Sequence, residues 1–140
     1  MTKTWLTPLM LAAALAVGGA TSTLAADAIG EWARPGGSSK IRISACGGAL
    51  CGKLIWLKNP RNDTANPDPA KRTRPLLGVQ IVRSMKPTNK TNQWKGKVYN
   101  AEDGKTYTGF IQMPSANKMK LEGCVMGGLI CKGETWTRIK

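Results

Sequence analysis

The fold of this chain is decided by its last stretch, Ile130–Ile139, which reads I-C-K-G-E-T-W-T-R-I. Trp136 and Arg138 are two residues apart, and side chains at that spacing lie on the same face of a β-strand. A second short motif, Gly30-Glu31-Trp32, stands near the other end of the chain. We expect these two strands to meet and to close a small barrel around everything between them.

The segments between the two ends alternate between polar and apolar residues, as half-buried strands do. In Ser38–Ala45, for example, the basic and hydroxyl side chains alternate with Ile41, Ile43 and Ala45, which are predicted to face inward. Eight strands follow from this pattern: 30–34, 38–45, 52–57, 79–85, 93–100, 105–113, 118–125 and 130–139. Most are joined by turns rich in glycine or proline, including the Asp103-Gly104 hairpin signal.

This order predicts an all-β protein, a small antiparallel eight-stranded barrel. Closure removes the unpaired edges that an open meander would expose. The interior of an eight-stranded barrel is either filled by side chains or holds one small ligand. A half-open sheet with a long loop over one end is the alternative.

The long loop spans residues 58–78, and its prolines, asparagines and aspartates oppose a regular element. A short helix is predicted after Pro67, with Asp68 as its cap and Pro69 at its first position. Loops of this length in compact domains tend to be functional or mobile.

The first 25 residues have the pattern of a secretory signal peptide. Lys3 supplies the positive start, and Leu9–Val17 is an apolar run too short to span a bilayer. Small residues follow up to a predicted cut between Ala25 and Ala26, with a cut between Ala26 and Asp27 as the alternative. A membrane anchor is the alternative. Residues 26–140 are then one domain, and the predicted location is periplasmic or secreted.

The chain is strongly basic and contains no histidine. Its 21 lysines and arginines stand against 8 acidic residues, a formal net charge of +13. Such a charge attracts polyanions, which for an exported protein are anionic lipid headgroups, acidic glycans or acidic proteins, and not nucleic acid. A plain solvated surface is the alternative. The lack of histidine excludes Ser-His-Asp and Cys-His catalysis and any histidine-ligated zinc.

Four cysteines in a small exported domain indicate two disulfides. Three pairings are possible. We favour Cys46–Cys51 and Cys124–Cys131, because each pair brackets a glycine-containing turn. A four-cysteine zinc site is the competing idea, although the spacings are looser than is usual for zinc.

Two resemblances bear on the fold. Gly30-Glu31-Trp32 resembles the G-x-W opening of lipocalins, in which the tryptophan lies at the closed end of the barrel and an arginine of the last strand packs across it. Arg138 is the matching residue here, and we assign a structural role to it and to Trp32.

Over the whole predicted domain, the chain also resembles the uncharacterised exported bacterial family DUF2147. The resemblance rests on the order of the motifs C-G-x-x-L-C-G-K-L-I-W-L, N-P-D-P-x-x-R-T-R-P-L-L-G, W-K-G-K-V-Y-N-x-E-D-G-K-T-Y, L-E-G-C and W-T-R. That resemblance implies a lipocalin-like barrel and an envelope location, and no reaction, ligand or catalytic residue.

The long loop holds the first candidate site residues. Asp63, Asn66 and Asp68 offer oxygen ligands of the kind that hard cations bind. Prolines interrupt them, so turn and cap roles are the better interpretation, and no metal is predicted. Arg72 and Arg74 carry forked donors suited to an acidic ligand. For Arg74 we favour an ion pair with a loop aspartate that pins the loop.

Aromatic side chains are the second group of candidates. We select Trp56, Trp94, Tyr107 and Trp136 as ligand-binding residues if the barrel is hollow, with a role in the core as the alternative. Tyr99 belongs to the same set of aromatic residues. Three glycines at inward positions leave either room for indoles or a pocket: Gly96, Gly109 and Gly123.

Glu134 shares a strand face with Trp136, so it is predicted to point inward, where burial raises the pKa of a carboxyl. The alternative is an ion pair with Lys132 or Arg138. Neither interpretation comes with a nucleophile and a matching base, and no catalytic residue or cofactor is predicted.

The predicted function is therefore non-enzymatic: a monomer that binds a small apolar or amphipathic ligand or an envelope component, with peripheral contact at a membrane surface. The alternative is a protein–protein interaction or inhibitor-type module that uses the basic surface. A hollow interior with an open mouth favours the binder, and a filled interior with a large exposed patch favours the interaction module.

Overall fold

The computed structural model describes residues 27–140, together with the isolated positions Thr2 and Thr4. The predicted signal segment otherwise lies outside the described residues. Eight strands occupy most of the described chain: β1 Gly30–Ala33, β2 Ser39–Cys46, β3 Ala49–Leu57, β4 Gln80–Pro87, β5 Gln93–Asn100, β6 Lys105–Ser115, β7 Lys118–Val125 and β8 Ile130–Arg138. Three short 3₁₀ turns interrupt them, at Pro35–Gly37, Pro69–Lys71 and Met126–Gly128.

The strands form a closed antiparallel barrel in sequence order, which confirms the predicted fold class. The first and last strands complete the ring, with Trp32 opposite Arg138 and Ala33 opposite Thr137. The half-open alternative is wrong, because this pairing leaves neither β1 nor β8 as a free edge. Among the residues that the structure describes, no helical segment is long and apolar enough to cross a bilayer.

The closed end of the barrel holds the start of β1 and the end of β8 and is sealed by Arg138. Its guanidinium carbon lies 4.3 Å from the centre of the Trp32 ring, a favourable cation–π contact. The same group donates hydrogen bonds to the backbone oxygens of Ala116, Ile29 and Asp27. Arg138 therefore joins β8, the β6–β7 turn and the segment before β1.

Large side chains fill the half of the barrel next to this seal. Trp32, Trp94 and Trp136 are each at most 1% exposed. The aliphatic and methionine side chains of the core complete the filling, among them Ile41, Ile43, Leu50, Met85, Ile111 and Met119. Ala45 was predicted to face inward and pairs with the buried Leu50, but it is exposed because it lies at the end of β2, next to the disulfide-bonded turn.

The predicted disulfides Cys46–Cys51 and Cys124–Cys131 are both present. Each links the two strands of one hairpin, β2–β3 and β7–β8. Because all four sulfur atoms are used in these bonds, the competing four-cysteine zinc site is wrong.

The three glycines predicted at inward positions leave neither room for a tryptophan ring nor a pocket. A Cβ atom at Gly109 would lie 2.2 Å from a Val98 methyl, so aliphatic side chains already fill that position. A Cβ at Gly96 would lie 2.5 Å from the Arg83 carbonyl oxygen, where β4 is irregular and its backbone bulges inward. At Gly123 the nearest atom, in Tyr107, is at an ordinary contact distance of 3.5 Å.

Candidate functional site

The open end of the barrel contains a cavity of about 600 Å³, which we call the mouth cavity. Its inner wall is apolar and comes from five strands: Leu54, Leu57, Ile81, Val98, Leu121 and Trp136. Its rim is polar and includes Asn59, Arg61, Glu102 and Lys132. A cavity of this size and character can bury the apolar part of a small molecule.

Strand β8 forms a wall of the mouth cavity whose side chains change from charged to aromatic along the strand. Lys132, Glu134 and Trp136 face it in succession, because alternate residues of a strand share a face and β8 runs inward from its turn at the open end. The cavity therefore changes from cationic at the rim to aromatic at its inner end.

An ion pair bridges the cavity wall between the β1–β2 turn and β8. Arg34 Nε lies 2.6 Å from Oε1 of Glu134, and Arg34 Nη2 lies 3.0 Å from Oε2. The indole N–H of Trp136 donates to the same Oε1 at 2.7 Å. All three polar groups are satisfied by one another, so the pair adds little net charge to the cavity.

The pKa of Glu134 is lowered, not raised as its inward position predicted. Burial alone raises this pKa, but the hydrogen bonds from Arg34 and Trp136, with the Arg34 charge, outweigh burial. The hydrogen bond to Glu134 in turn raises the pKa of Arg34. Neither alternative partner, Lys132 or Arg138, makes this ion pair.

The long loop forms part of the cavity wall through Asn59, Arg61 and Leu76. Its own centre is Asp63, which is 1% exposed. Oδ1 of this carboxylate accepts a 2.5 Å hydrogen bond from the Tyr99 hydroxyl, and Oδ2 accepts from Asn66 at 2.9 Å and forms an ion pair with Arg74 at 2.9 Å.

These contacts shift two pKa values. Burial raises the pKa of Asp63, but the hydrogen bonds from Tyr99, Asn66 and Arg74 outweigh it and the net shift is downward. Burial and the hydrogen bond to Asp63 raise the pKa of Tyr99 to about 12. Because Arg74 already occupies this carboxylate, the loop presents an ion pair where a cation site would need free oxygens.

The other loop candidates have local roles. Asp68 caps the 3₁₀ turn by accepting a hydrogen bond from the Ala70 N–H at 3.0 Å. Arg72 donates to the Asn66 carbonyl oxygen at 2.8 Å. These residues shape the loop and do not line the mouth cavity.

Of the four aromatic residues selected from the sequence, the structure brings only Trp136 to the mouth cavity. Trp94 points inward but packs in the filled half of the barrel. Tyr107 is half-buried, donates a hydrogen bond to Asp103 and lines a shallow groove on the outer surface. Tyr99, which was not selected, contributes to the cavity wall.

Trp56 faces solvent, with 42% of its surface exposed, and Lys40 lies 5.0 Å from its ring centre. The register explains this position. Lys40 pairs with Trp56 but Ile41 pairs with Leu54, so β3 contains one extra residue at that point. A bulge of one residue reverses the faces that follow it, and Trp56 is therefore turned outward.

Sequence reasoning did not place Arg34 or Leu121 in the site. Arg34 stands 100 residues from its partner Glu134, and no local pattern connects them. Leu121 lies two residues before Gly123 in β7, so strand alternation, which puts both on one face, was the available signal.

Comparison with known proteins supports the fold. The model of a family described as an uncharacterised protein conserved in bacteria (DUF2147) matches residues 30–138. Among solved structures, the chain is similar to protein HP1028 from the human pathogen Helicobacter pylori, which is described as belonging to the lipocalin family. The TM-score is 0.71 at 23% identity, over 80% of this chain and 82% of that one. No curated protein matches the chain.

Proposed function

Because this chain belongs to the uncharacterised bacterial family DUF2147 and folds as a lipocalin-like barrel, we propose that it binds one small amphipathic ligand in the mouth cavity. The apolar part of the ligand lies against Leu54, Leu121 and Trp136. Its polar or acidic end lies at the rim, near Arg61 and Lys132. The protein carries this ligand without changing it.

The observation that carries the proposal is the division of the mouth cavity into an apolar wall and a polar rim, on which two cations, Arg61 and Lys132, stand against one acid, Glu102. Arg61 and Lys132 form no ion pair within residues 27–140, whereas Arg34 is neutralised by Glu134. The two rim cations are thus available to an anionic group, while the inner wall offers contact to a hydrocarbon. An acid-headed amphiphile matches both parts.

The non-enzymatic character of the proposal is supported by the state of one buried and one half-buried acid. Asp63 and Glu134 each accept hydrogen bonds from an arginine, and both have lowered pKa values. A general acid near neutral pH needs a raised pKa. Both carboxylates are therefore suited to holding the structure and unsuited to donating protons.

We also propose that the protein is exported, on the signal-peptide pattern of residues 1–25. Fractionation of the native cells tests this, together with N-terminal sequencing of the mature protein. The expected result is an envelope or secreted protein that begins at Ala26. A cytosolic protein that begins at Met1 would contradict it.

The interaction module that uses its basic surface is the second candidate. It predicts a filled interior, and only the closed half of the barrel is filled. The mouth cavity therefore favours ligand binding as the primary function.

Native mass spectrometry of the protein purified from its own cells tests the ligand proposal. The expected spectrum contains a retained small molecule that is lost on denaturation. Ala101→Trp places an indole at the half-buried rim of the cavity and should abolish retention. Ala45→Trp, at an exposed position of the β2–β3 hairpin, is the matched control and should keep the molecule. A bare mass for the wild type, or equal retention by both variants, would contradict the proposal.

A further inference from the structure

The turn between β7 and β8 carries an exposed apolar surface at the open end of the barrel. Met126 and Leu129 are 70% and 84% exposed, and Val125 and Ile130 beside them are also exposed. We call these four residues the hydrophobic tip. Four large apolar side chains exposed on one turn are unfavourable in water and are typical of a surface that contacts a partner.

A disulfide holds together the two strands at the base of the hydrophobic tip. Cys124 and Cys131 lie directly opposite each other in the β7–β8 ladder, and their disulfide closes the hairpin immediately before and after the tip. Within the turn the Leu129 N–H donates to the Met126 carbonyl oxygen. This brace opposes folding of the tip back onto the barrel, so its side chains remain presented to the outside.

Lysines border the tip on two sides. Lys97 and Lys105 line the outer groove beside it, and Lys132 stands between the disulfide and the mouth cavity. None of the three forms an ion pair within the part of the chain that the structure describes. Two acids, Glu102 and Asp103, lie on the neighbouring turn, and Glu122 beside the disulfide is paired with Lys120. Among the described residues, the three unpaired lysines outnumber the two unpaired acids, so the border of the tip keeps a net positive charge.

From these observations we propose that the hydrophobic tip docks on an anionic lipid bilayer. Met126 and Leu129 enter the boundary between headgroups and acyl chains, and the three lysines contact lipid phosphates. Apolar insertion combined with attraction to anionic lipid is the usual basis of interfacial binding. A specific protein partner needs a broader face, about 800 Å² on each side, and a single convex turn does not supply it.

Docking in this orientation points the mouth cavity towards the bilayer. The tip and the cavity rim are adjacent on β8, since Lys132 and Glu134 follow Ile130 and Cys131 on the same strand. An amphipathic molecule then exchanges between bilayer and cavity without crossing bulk water. The docking inference goes beyond the ligand proposal and does not depend on it.

Co-sedimentation of the purified protein with lipid vesicles tests the inference. One set of vesicles contains equal parts of phosphatidylcholine and phosphatidylglycerol, and the other contains phosphatidylcholine alone. We expect binding to the anionic vesicles, weakened by added salt, and much weaker binding to the neutral ones. No binding to the anionic vesicles would overturn the inference.

A tip variant separates insertion from general charge attraction. Met126→Asn with Leu129→Ser should lower the affinity for anionic vesicles at least about tenfold, because it removes two inserted apolar side chains. Asn suits the positive φ of 53° at position 126, so the turn is retained. Ile139→Ser removes an apolar side chain that is 44% exposed at the opposite end of the barrel and should bind as the wild type does.

Equal binding by the tip variant and the wild type would overturn insertion of the tip. The lysine border is tested by Lys97→Gln with Lys105→Gln, which should bind more weakly and with a smaller dependence on salt. Thermal unfolding of each variant verifies that its fold is intact. Because the vesicles contain no added ligand, a protein that docks but retains no small molecule would contradict the ligand proposal alone.

Discussion

The hydroxyl of Tyr99 donates a 2.5 Å hydrogen bond to Asp63, a buried carboxylate that lies 36 residues earlier in the chain. This bond attaches the middle of the long loop to the end of β5. Arg74 and Asn66 complete the set of donors around the carboxylate. The loop that forms part of the mouth cavity is thus fixed at one point by three side chains.

Asp63→Ala should lower the free energy of unfolding by about 3 kcal/mol, because it leaves the buried Tyr99 hydroxyl without an acceptor and Arg74 without its partner. Urea unfolding measures the change. The control is Asp68→Ala, which removes a cap on the exposed part of the same loop and should cost about 1 kcal/mol. Equal losses in the two variants would show that Asp63 does not hold the loop.

The raised pKa of Tyr99 predicts a loss of stability in alkali. The folded state holds the hydroxyl proton more tightly, with a pKa of about 12 against an ordinary 10.0. The resulting stabilisation is complete below pH 10 and is lost as the pH rises towards 12. Relative to Tyr99→Phe, the wild type should lose up to about 2 kcal/mol across this window. Parallel curves of unfolding free energy against pH would contradict the assignment.

The lowered pKa of Asp63 predicts a loss of stability in acid. The pKa of Asp63 is lowered below its ordinary value of 3.8, so its stabilisation is present above that pH and is lost as the pH falls further. Unfolding free energies measured between neutral pH and strong acid should therefore fall more steeply for the wild type than for Asp63→Asn. A steeper fall in the variant would be the contrary result.

Gly104→Ala tests the close approach of the loop to the β5–β6 turn. A Cβ atom at Gly104 would overlap the carbonyl oxygen of Ala65, and the φ of +72° already disfavours alanine. Gly36 has the same φ of +72° but open space around it, so Gly36→Ala isolates the backbone effect. We expect a loss of about 1 kcal/mol at Gly36 and a clearly larger one at Gly104, both measured by thermal unfolding. Similar losses in the two variants would show that the long loop moves away from an alanine at position 104 without a further loss of stability.

A double-mutant cycle measures the ion pair between Arg34 and Glu134 in the wall of the mouth cavity. Arg34→Met and Glu134→Gln should show a coupling energy of about 1 kcal/mol, modest because the side chains are 35% and 30% exposed. The Lys120–Glu122 pair on the surface, at 52% and 28% exposure, provides the comparison, and its coupling energy should be only about 0.3 kcal/mol. A coupling no larger than this would show that the bridge is not a specific contact.

Much of the fold was predictable because its signals are local. Alternation of polar and apolar residues placed all eight strands, and short glycine-containing turns indicated which cysteines pair. Closure of the barrel followed from the two end motifs, and Arg138 does pack on Trp32. Strand ends were less well predicted: β3 begins at Ala49, three residues earlier than expected, because the ladder to β2 continues up to the disulfide-bonded turn.

The site was less predictable, since it depends on register. One extra residue in β3 turned Trp56 away from the interior, and no sequence signal marks such a bulge. Tyr107 follows the inward alternation of β6, yet it lies at the end of the strand, where its hydroxyl reaches Asp103 on the outside. Trp136 points inward, because the alternation of β8 is uninterrupted up to the point where the strand meets β1.

By itself, the sequence determined an antiparallel barrel of eight strands with two hairpin disulfides and a net positive charge, because strand periodicity, turn composition and charge can be read from the residues in order. Only the tertiary structure decided that Glu134 pairs with Arg34, that Asp63 receives three donors and that the barrel is filled at one end and open at the other. These features join residues distant in the chain, and their geometry depends on bulges and strand register that small differences in packing energy select.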